Sequence, residues 1–389
     1  MGIQLGTDFK IIDGFRFVKN TSNLRYDSIL IDENLTKEQA DYINSKNIVD
    51  ITTRRMISFE ELKLCPKVKR IHIRGDWPNY DMMENGEGYC MNPEGLYRMP
   101  NLERLDISLE EKRNIKIDVS RIPKLKKLIC NPEKVINIGD AMNLEVLDLW
   151  KYREKNLTEF KKLKKLKYLS LVRSSILSLK GIECLKNLRM LDLEYNRRLE
   201  DIQDIRYIAK TLTSLSIENS SRIIDFSALS ALDNVTFLMI YGNNKIQNLN
   251  FIYGMKKLKR FWFDINILDG NLTPCLSLMD VYIGTSRKHY NLKSEELPQN
   301  KEPLEKGKTI GYLDEEGTEE RYNVKLVIKI DKVDILSIVE YLASYADGVI
   351  TDLKENQGVI AITLKTNNPQ NVIKCCKKHG TVQLSCSIE

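Results

Sequence analysis

Leu144-Glu-Val-Leu147-Asp-Leu149, Leu166-Lys-Tyr-Leu169-Ser-Leu171 and Leu188-Arg-Met-Leu191-Asp-Leu193 carry one six-residue pattern, apolar-x-x-apolar-x-apolar, with starts 22 residues apart. The alternating end of the pattern reads as a short strand with one buried face. Moving towards the N-terminus, the same pattern recurs at Leu125-Lys-Lys-Leu128-Ile-Cys130, Leu102-Glu-Arg-Leu105-Asp-Ile107 and Val68-Lys-Arg-Ile71-His-Ile73. Moving the other way it recurs at Leu212-Thr-Ser-Leu215-Ser-Ile217, Val235-Thr-Phe-Leu238-Met-Ile240, Leu258-Lys-Arg-Phe261-Trp-Phe263 and Leu278-Met-Asp-Val281-Tyr-Ile283. From Leu102 the intervals are 23, 19, 22, 22, 24, 23, 23 and 20 residues. A unit this short cannot bury its own apolar face, so the units must stack on one another.

Pattern and period together resemble the leucine-rich-repeat family over roughly residues 48 to 284. The resemblance implies an α/β solenoid, a horseshoe with a parallel β-sheet on its concave face. In the family the ninth position is Asn or Cys and ties down the turn after the strand. Here that position is Asn196, Asn243 and Asn266 in three repeats, Ser174, Ser220 and Ser286 in three others, and Tyr152 in one, where the family's hydrogen bonding is not expected. Tyr26-x-x-Ile29-x-Ile31 and Ile48-x-x-Ile51 keep the spacing backwards from Val68, so residues 1–66 read as an N-terminal cap with degenerate repeats and 67–284 as the solenoid. The long interval between Ile73 and Leu102, with Trp77-Pro78-Asn79-Tyr80 and Asn85-Gly86, reads as an inserted surface loop.

Residues 285–320 lose the repeat and read as a linker or irregular cap. Beyond them, strands are expected at 323–330, 349–354, 357–365 and 381–387, and helices at 332–345 and 369–379. The order β-α-β-β-α-β over 321–389 is that of a small ferredoxin-like α+β domain. It lacks the aromatics on Val359-Ile360-Ala361-Ile362-Thr363-Leu364 that RNA binding on such a sheet requires.

Sixty Lys and Arg against 54 Asp and Glu leave a formal charge of only +6 over 389 residues, far from a dedicated nucleic-acid binder. The run Lys161-Lys162-Leu163-Lys164-Lys165-Leu166-Lys167 keeps its leucines in register and reads as a solvated edge. No charged start with an apolar stretch opens the sequence, and no run is apolar enough to span a bilayer, so a cytoplasmic protein is expected. Abundant Lys, Ile and Asn point to a low-GC bacterial source or its phage. No catalytic constellation emerges, and no cofactor or metal is expected. His72, His289 and His379 are scattered, Cys375-Cys376-x-x-His379 falls short of a zinc set, and Gly307-Lys308-Thr309 has Glu302 where a phosphate-binding loop needs glycine. An enzyme is therefore not expected.

What is left is the surface. In each strand positions one, four and six face the core, and three, five and seven point outward from the concave sheet. Those outward positions hold Trp150, Tyr168, Met190, Phe237, Met239, Tyr241, Trp262 and Tyr282, interleaved with Asp192, Glu194 and Asp264; Arg70, Arg74, Arg104 and Lys127 gather at the N-terminal end. Large rings and thioethers on a solvated face gain nothing until a partner covers them. The expectation is a non-enzymatic scaffold that recognises a protein with a basic surface, as an inhibitor or immunity protein neutralising a toxin or enzyme would. The alternative is a regulatory or assembly subunit, a homodimer through a dimerising or ligand-sensing C-terminal domain.

Overall fold

The computed structural model describes residues 9–19, 26–32, 34–54, 58–74, 92–108, 115–299, 322–329, 349–356, 359–366 and 382–388. Two compact units divide the chain, 1–299 and 300–389. The expected inserted loop falls mainly on residues outside the described set. So do both C-terminal helices, Cys375, Cys376, His379 and Gly307-Lys308-Thr309.

The first unit is built on one 14-stranded sheet. It opens with β1 (Phe9–Ile12) and β2 (Phe15–Lys19), joined by Asp13 and Gly14, both at positive φ, as a two-residue hairpin demands. β2 pairs antiparallel with β3 (Tyr26–Ile31), and from there every pairing is parallel. β4 (Asp50–Thr53), β5 (Arg70–Arg74) and β6 (Arg104–Ser108) follow. A two-residue β7 (Ile117–Asp118) leaves the main sheet to pair with β9 (Val135–Ile136), on either side of β8 (Lys127–Cys130). Then come β10 (Val146–Trp150), β11 (Tyr168–Val172), β12 (Met190–Glu194), β13 (Ser214–Glu218), β14 (Phe237–Ile246), β15 (Arg260–Ile267) and β16 (Asp280–Ile283).

One strand per repeat, each pairing in parallel with the next, is the leucine-rich-repeat solenoid that the spacing implied. Leu147, Leu169, Leu191, Leu215, Leu238 and Phe261 are successive register partners, all fully buried. Ile29 pairs with Ile51 and Ile51 with Ile71, which puts both degenerate segments in register with the strands that follow, while β1 and β2 form an antiparallel hairpin.

Among the described residues the crossovers hold little α-helix. The described helices are α1 (Lys37–Ser45), closed by a Thr36–Gln39 capping box, and the single turn α2 (Glu94–Tyr97). The other crossovers run as 3₁₀ turns, such as Thr158–Lys162, Gln203–Ile208, Ser227–Ala231 and Asn250–Gly254. A repeat of about 22 residues spends most of its length on the strand and its two turns, and a tighter helix spans the remaining distance with fewer residues. Phe160, Ile205, Leu229 and Ile252 from these turns complete the core under the strand leucines.

Turn chemistry follows the ninth position only in part. Asn196 is fully buried: its Oδ1 accepts from Ser174 N (2.8 Å) and Oγ (2.5 Å), and its Nδ2 donates to Leu171 O (2.9 Å). One repeat on, Ser220 Oγ accepts from Asn196 N at 3.2 Å. In β14 the register shifts between Tyr241 and Lys245. Asn244 therefore takes the buried slot, donating to Ser220 O and Ile223 O, while Asn243 is exposed. β15 runs straight through the expected turn: Ile265 fills the core in place of Asn266, and Tyr290 donates to Ile265 O (2.8 Å) and accepts from Ile267 N (3.3 Å). Tyr152 is buried against Phe160 and donates to Glu159 Oε2 at 2.9 Å. Tyr290 and Leu297 join the core and Val281 N donates to Pro298 O, so the first unit runs on to Gln299.

In the second unit β17 (Tyr322–Lys329), β18 (Val349–Asn356), β19 (Val359–Thr366) and β20 (Val382–Ile388) form an antiparallel sheet in the order β18-β19-β17-β20.

Candidate functional site

Parallel register converts positions three, five and seven into three rows across the open face of the first unit's sheet. Row three runs Asp50, Arg70, Arg104, Lys127, Val146, Tyr168, Met190, Ser214, Phe237, Arg260, Asp280. Row five runs Thr52, His72, Asp106, Ile129, Asp148, Ser170, Asp192, Ser216, Met239, Trp262, Tyr282. Row seven includes Trp150, Val172, Glu194, Glu218, Tyr241 and Asp264. The eleven expected contact residues therefore do share one face, but not one degree of exposure.

Trp150 is 56% exposed and Tyr282 54%. Asp192, Glu194, Tyr241, Trp262 and Asp264 are half-buried. Tyr168, Met190, Phe237 and Met239 are more than nine-tenths buried, which corrects their assignment to a solvated surface. Neighbouring strands lie only about 4.8 Å apart, so a large side chain in a row is shielded by the ones beside it. Phe237 meets Trp262 edge-on with centroids 5.2 Å apart, and Tyr168 donates its hydroxyl to Asp192 Oδ2 at 2.8 Å.

The central carboxylates are held in an unfavourable setting. Burial, and then the negative charge of Asp106, raises Asp148 to about 6, against hydrogen bonds from the Ser170 and Trp150 side chains. Burial also raises Asp192 to about 6, with Glu218, Asp148 and Glu194 adding to it against the Tyr168 bond. Glu218 is shifted upward by burial and by Glu194, its register partner. Asp148 Oδ1 and Asp192 Oδ1 are buried without a hydrogen-bond partner.

At the N-terminal end sits a feature that sequence reasoning missed. His72 Nδ1 lies 2.9 Å from Asp106 Oδ2, and Nε2 lies 3.3 Å from Asp50 Oδ1, an ion-pair distance without good hydrogen-bond geometry. Arg104, 1% exposed, donates from Nε and Nη2 to Asp106, and Arg70 Nε donates to Asp50 Oδ2 at 2.9 Å. Burial pulls His72 down, but Asp106 and Asp50 outweigh it and raise it to about 9; Asp106 falls to about 2 despite its burial, through His72 and Arg104. A protonated imidazole has no lone pair to accept a proton, so His72 cannot serve as a general base near neutrality. Aligning Asp50 with Arg70 and His72 with Asp106 by repeat register would have revealed the lattice, but the members of these pairs are 20 and 34 residues apart in sequence. Among the described residues no three His, Cys, Asp or Glu groups are placed to hold a metal, and no helix is long and apolar enough to cross a membrane.

No family model matches the chain, and no curated protein does. Solved structures do. An internalin from Listeria monocytogenes aligns with TM-score 0.40 and 14% identity over 66% of this chain and 88% of its own. A leucine-rich-repeat protein from Leptospira interrogans aligns with TM-score 0.38 and 16% identity over 65% and 75%, and an internalin C2 from Listeria monocytogenes with 0.34 and 15% over 60% and 84%. The structural neighbours are bacterial leucine-rich-repeat proteins.

Proposed function

We propose that the first unit is a non-enzymatic scaffold that binds a partner protein through the open face of its sheet. The observation that carries this is the exposure of Trp150 and Tyr282 on a face where Tyr241 and Trp262 are half-covered and Asp148, Asp192, Glu194, Glu218 and Asp264 supply negative charge. Exposed aromatic anchors beside buried aromatic support are the composition of a binding hot spot. A run of carboxylates selects a basic surface and repels nucleic acid. Ordered rows on a rigid sheet reduce the ordering cost of a large interface, which suits an inhibitor or immunity protein acting on a toxin or enzyme. The buried, unbridged thiols of Cys65, Cys130 and Cys275 fit a reducing, cytoplasmic setting.

Immobilised full-length protein should retain a partner from extract of its own source, and Trp150→Ala, Tyr241→Ala and Trp262→Ala should each reduce that retention. Undiminished retention by all three removes the open face from the mechanism. The assembly-subunit reading draws on the C-terminal sheet, whose strand order suits a ferredoxin-like unit that dimerises. A dimer by mass that becomes monomeric on truncation at about residue 320 would favour it.

A further inference from the structure

We propose that the β14–β16 end of the open face holds a cradle for one cationic side chain, an arginine or lysine of the bound protein, formed by Trp262, Tyr282, Tyr241 and Asp264. This rests on the protein-binding reading above and narrows it to a single contact. Trp262 is braced edge-on by Phe237 at 5.2 Å and packs against Tyr282 with centroids 6.3 Å apart and planes at 64°. Its indole N–H donates to Asp280 Oδ2 at 2.9 Å, so its one polar group is engaged and the electron-rich ring surface is what it can offer a ligand.

Asp264 follows Trp262 by two residues on the same strand and so shares its face; Tyr241 is its register partner on β14, and Tyr282 is the register partner of Trp262 on β16. These four side chains occupy adjacent points of two rows. Burial, then Tyr282, Asp264 and Glu218, push the Tyr241 hydroxyl up to about 12. Among the described residues the Asp264 carboxylate accepts only from Thr285 Oγ1, at a long 3.3 Å. Gly284 lets the Asp264 side chain pack close against the β16 end, since a Cβ there would lie 2.7 Å from Asp264 Cβ and 2.8 Å from its Oδ2.

Charge decides the occupant. In rows three, five and seven of β13 to β16 the charged side chains are Glu218, Asp264 and Asp280, with the cation Arg260 in row three beside Asp280. An anion would be repelled, and an apolar side chain would strip water from Asp264 without replacing its hydrogen bonds. A guanidinium or ammonium satisfies both halves of the cradle, its charge over the rings and its N–H groups on the carboxylate.

The test uses the full chain carrying 5-fluorotryptophan, whose three tryptophans give three ¹⁹F resonances, with Trp262 assigned by Trp262→Phe. The probe is acetyl-glycyl-arginyl-glycine amide, compared with the same peptide carrying citrulline, a neutral near-isostere of arginine. Saturable movement of the Trp262 resonance with the arginine peptide is expected, with no movement by citrulline, and Asp264→Asn should weaken it about five-fold. Equal movement by both peptides, equal movement of Trp150, or no saturable movement overturns the cradle. Should Asp264→Asn not fold, the two-peptide comparison on the unaltered chain still decides. Failure here with partner retention still sensitive to Trp150→Ala would leave the binding face standing and remove only the cation.

Discussion

His72 keeps its proton past neutrality because Asp106 and Asp50 hold it from both sides. Its folded pKa of about 9 lies above the ordinary 6.5, so its contribution to stability is complete below pH 6.5 and is lost as pH rises through about 9. Urea midpoints measured across that window should fall for the native chain. His72→Gln should flatten the fall, removing on the order of 2 kcal/mol of stability at neutral pH and little above pH 10. Asp192 has the opposite sign. Raised to about 6, its ionised form costs stability above that pH, and the cost vanishes below its ordinary 3.8. Asp192→Asn should therefore stabilise the fold by on the order of 1 kcal/mol at about pH 8 and by nearly nothing at about pH 4. The same substitution should weaken retention of a basic partner. A variant more stable yet poorer at binding would mark the carboxylate as kept for function.

At the scale of the element, the strand ends carry the unusual geometry. Position eight of five consecutive repeats, Lys151, Arg173, Tyr195, Asn219 and Gly242, is left-handed. The first four amides donate to the carbonyl of position seven on the following strand, extending each ladder by one bond. Only glycine adopts this conformation without strain, so Lys151→Gly should be neutral or stabilising by up to about 1 kcal/mol in thermal unfolding. Gly242→Ala should destabilise, since its Cβ would lie 3.0 Å from Asn219 as well as at φ 122°. Asn196→Ala leaves two buried donors of Ser174 and the Leu171 carbonyl without partners, and should cost about 2 kcal/mol. The strands were legible because their leucines alternate in register. The 3₁₀ crossovers were not, because a single turn is too short to show a period. Asn244 displaced Asn243 for a different reason: a bulge after Tyr241 shifts the count by one residue, and nothing in spacing marks a bulge.

On the scale of the whole molecule, repeat register brings together what sequence separates. It aligned all eleven expected contact residues on one face, but outward direction was read as exposure, and lateral shielding buried Tyr168, Met190, Phe237 and Met239. The N-terminal ion lattice escaped notice because a single histidine says nothing until its neighbours in adjacent strands are known. In the lysine-rich run Leu163 and Leu166 are fully buried, while Lys162 pairs with Asp140 at 2.6 Å and Lys167 with Glu145 at 2.5 Å. With the carboxylates centred on the face and balancing charge elsewhere, association with a basic partner should slow as salt rises, a dependence read directly from association rates. The most direct test of the binding face compares dissociation constants for the retained partner across the two sides of the solenoid. Trp150→Ala and Tyr282→Ala on the open face should each weaken binding about ten-fold or more, while Tyr253→Ala, 66% exposed on a crossover turn, should leave it unchanged. Binding that is lost with Tyr253→Ala and kept with both open-face variants would contradict the account.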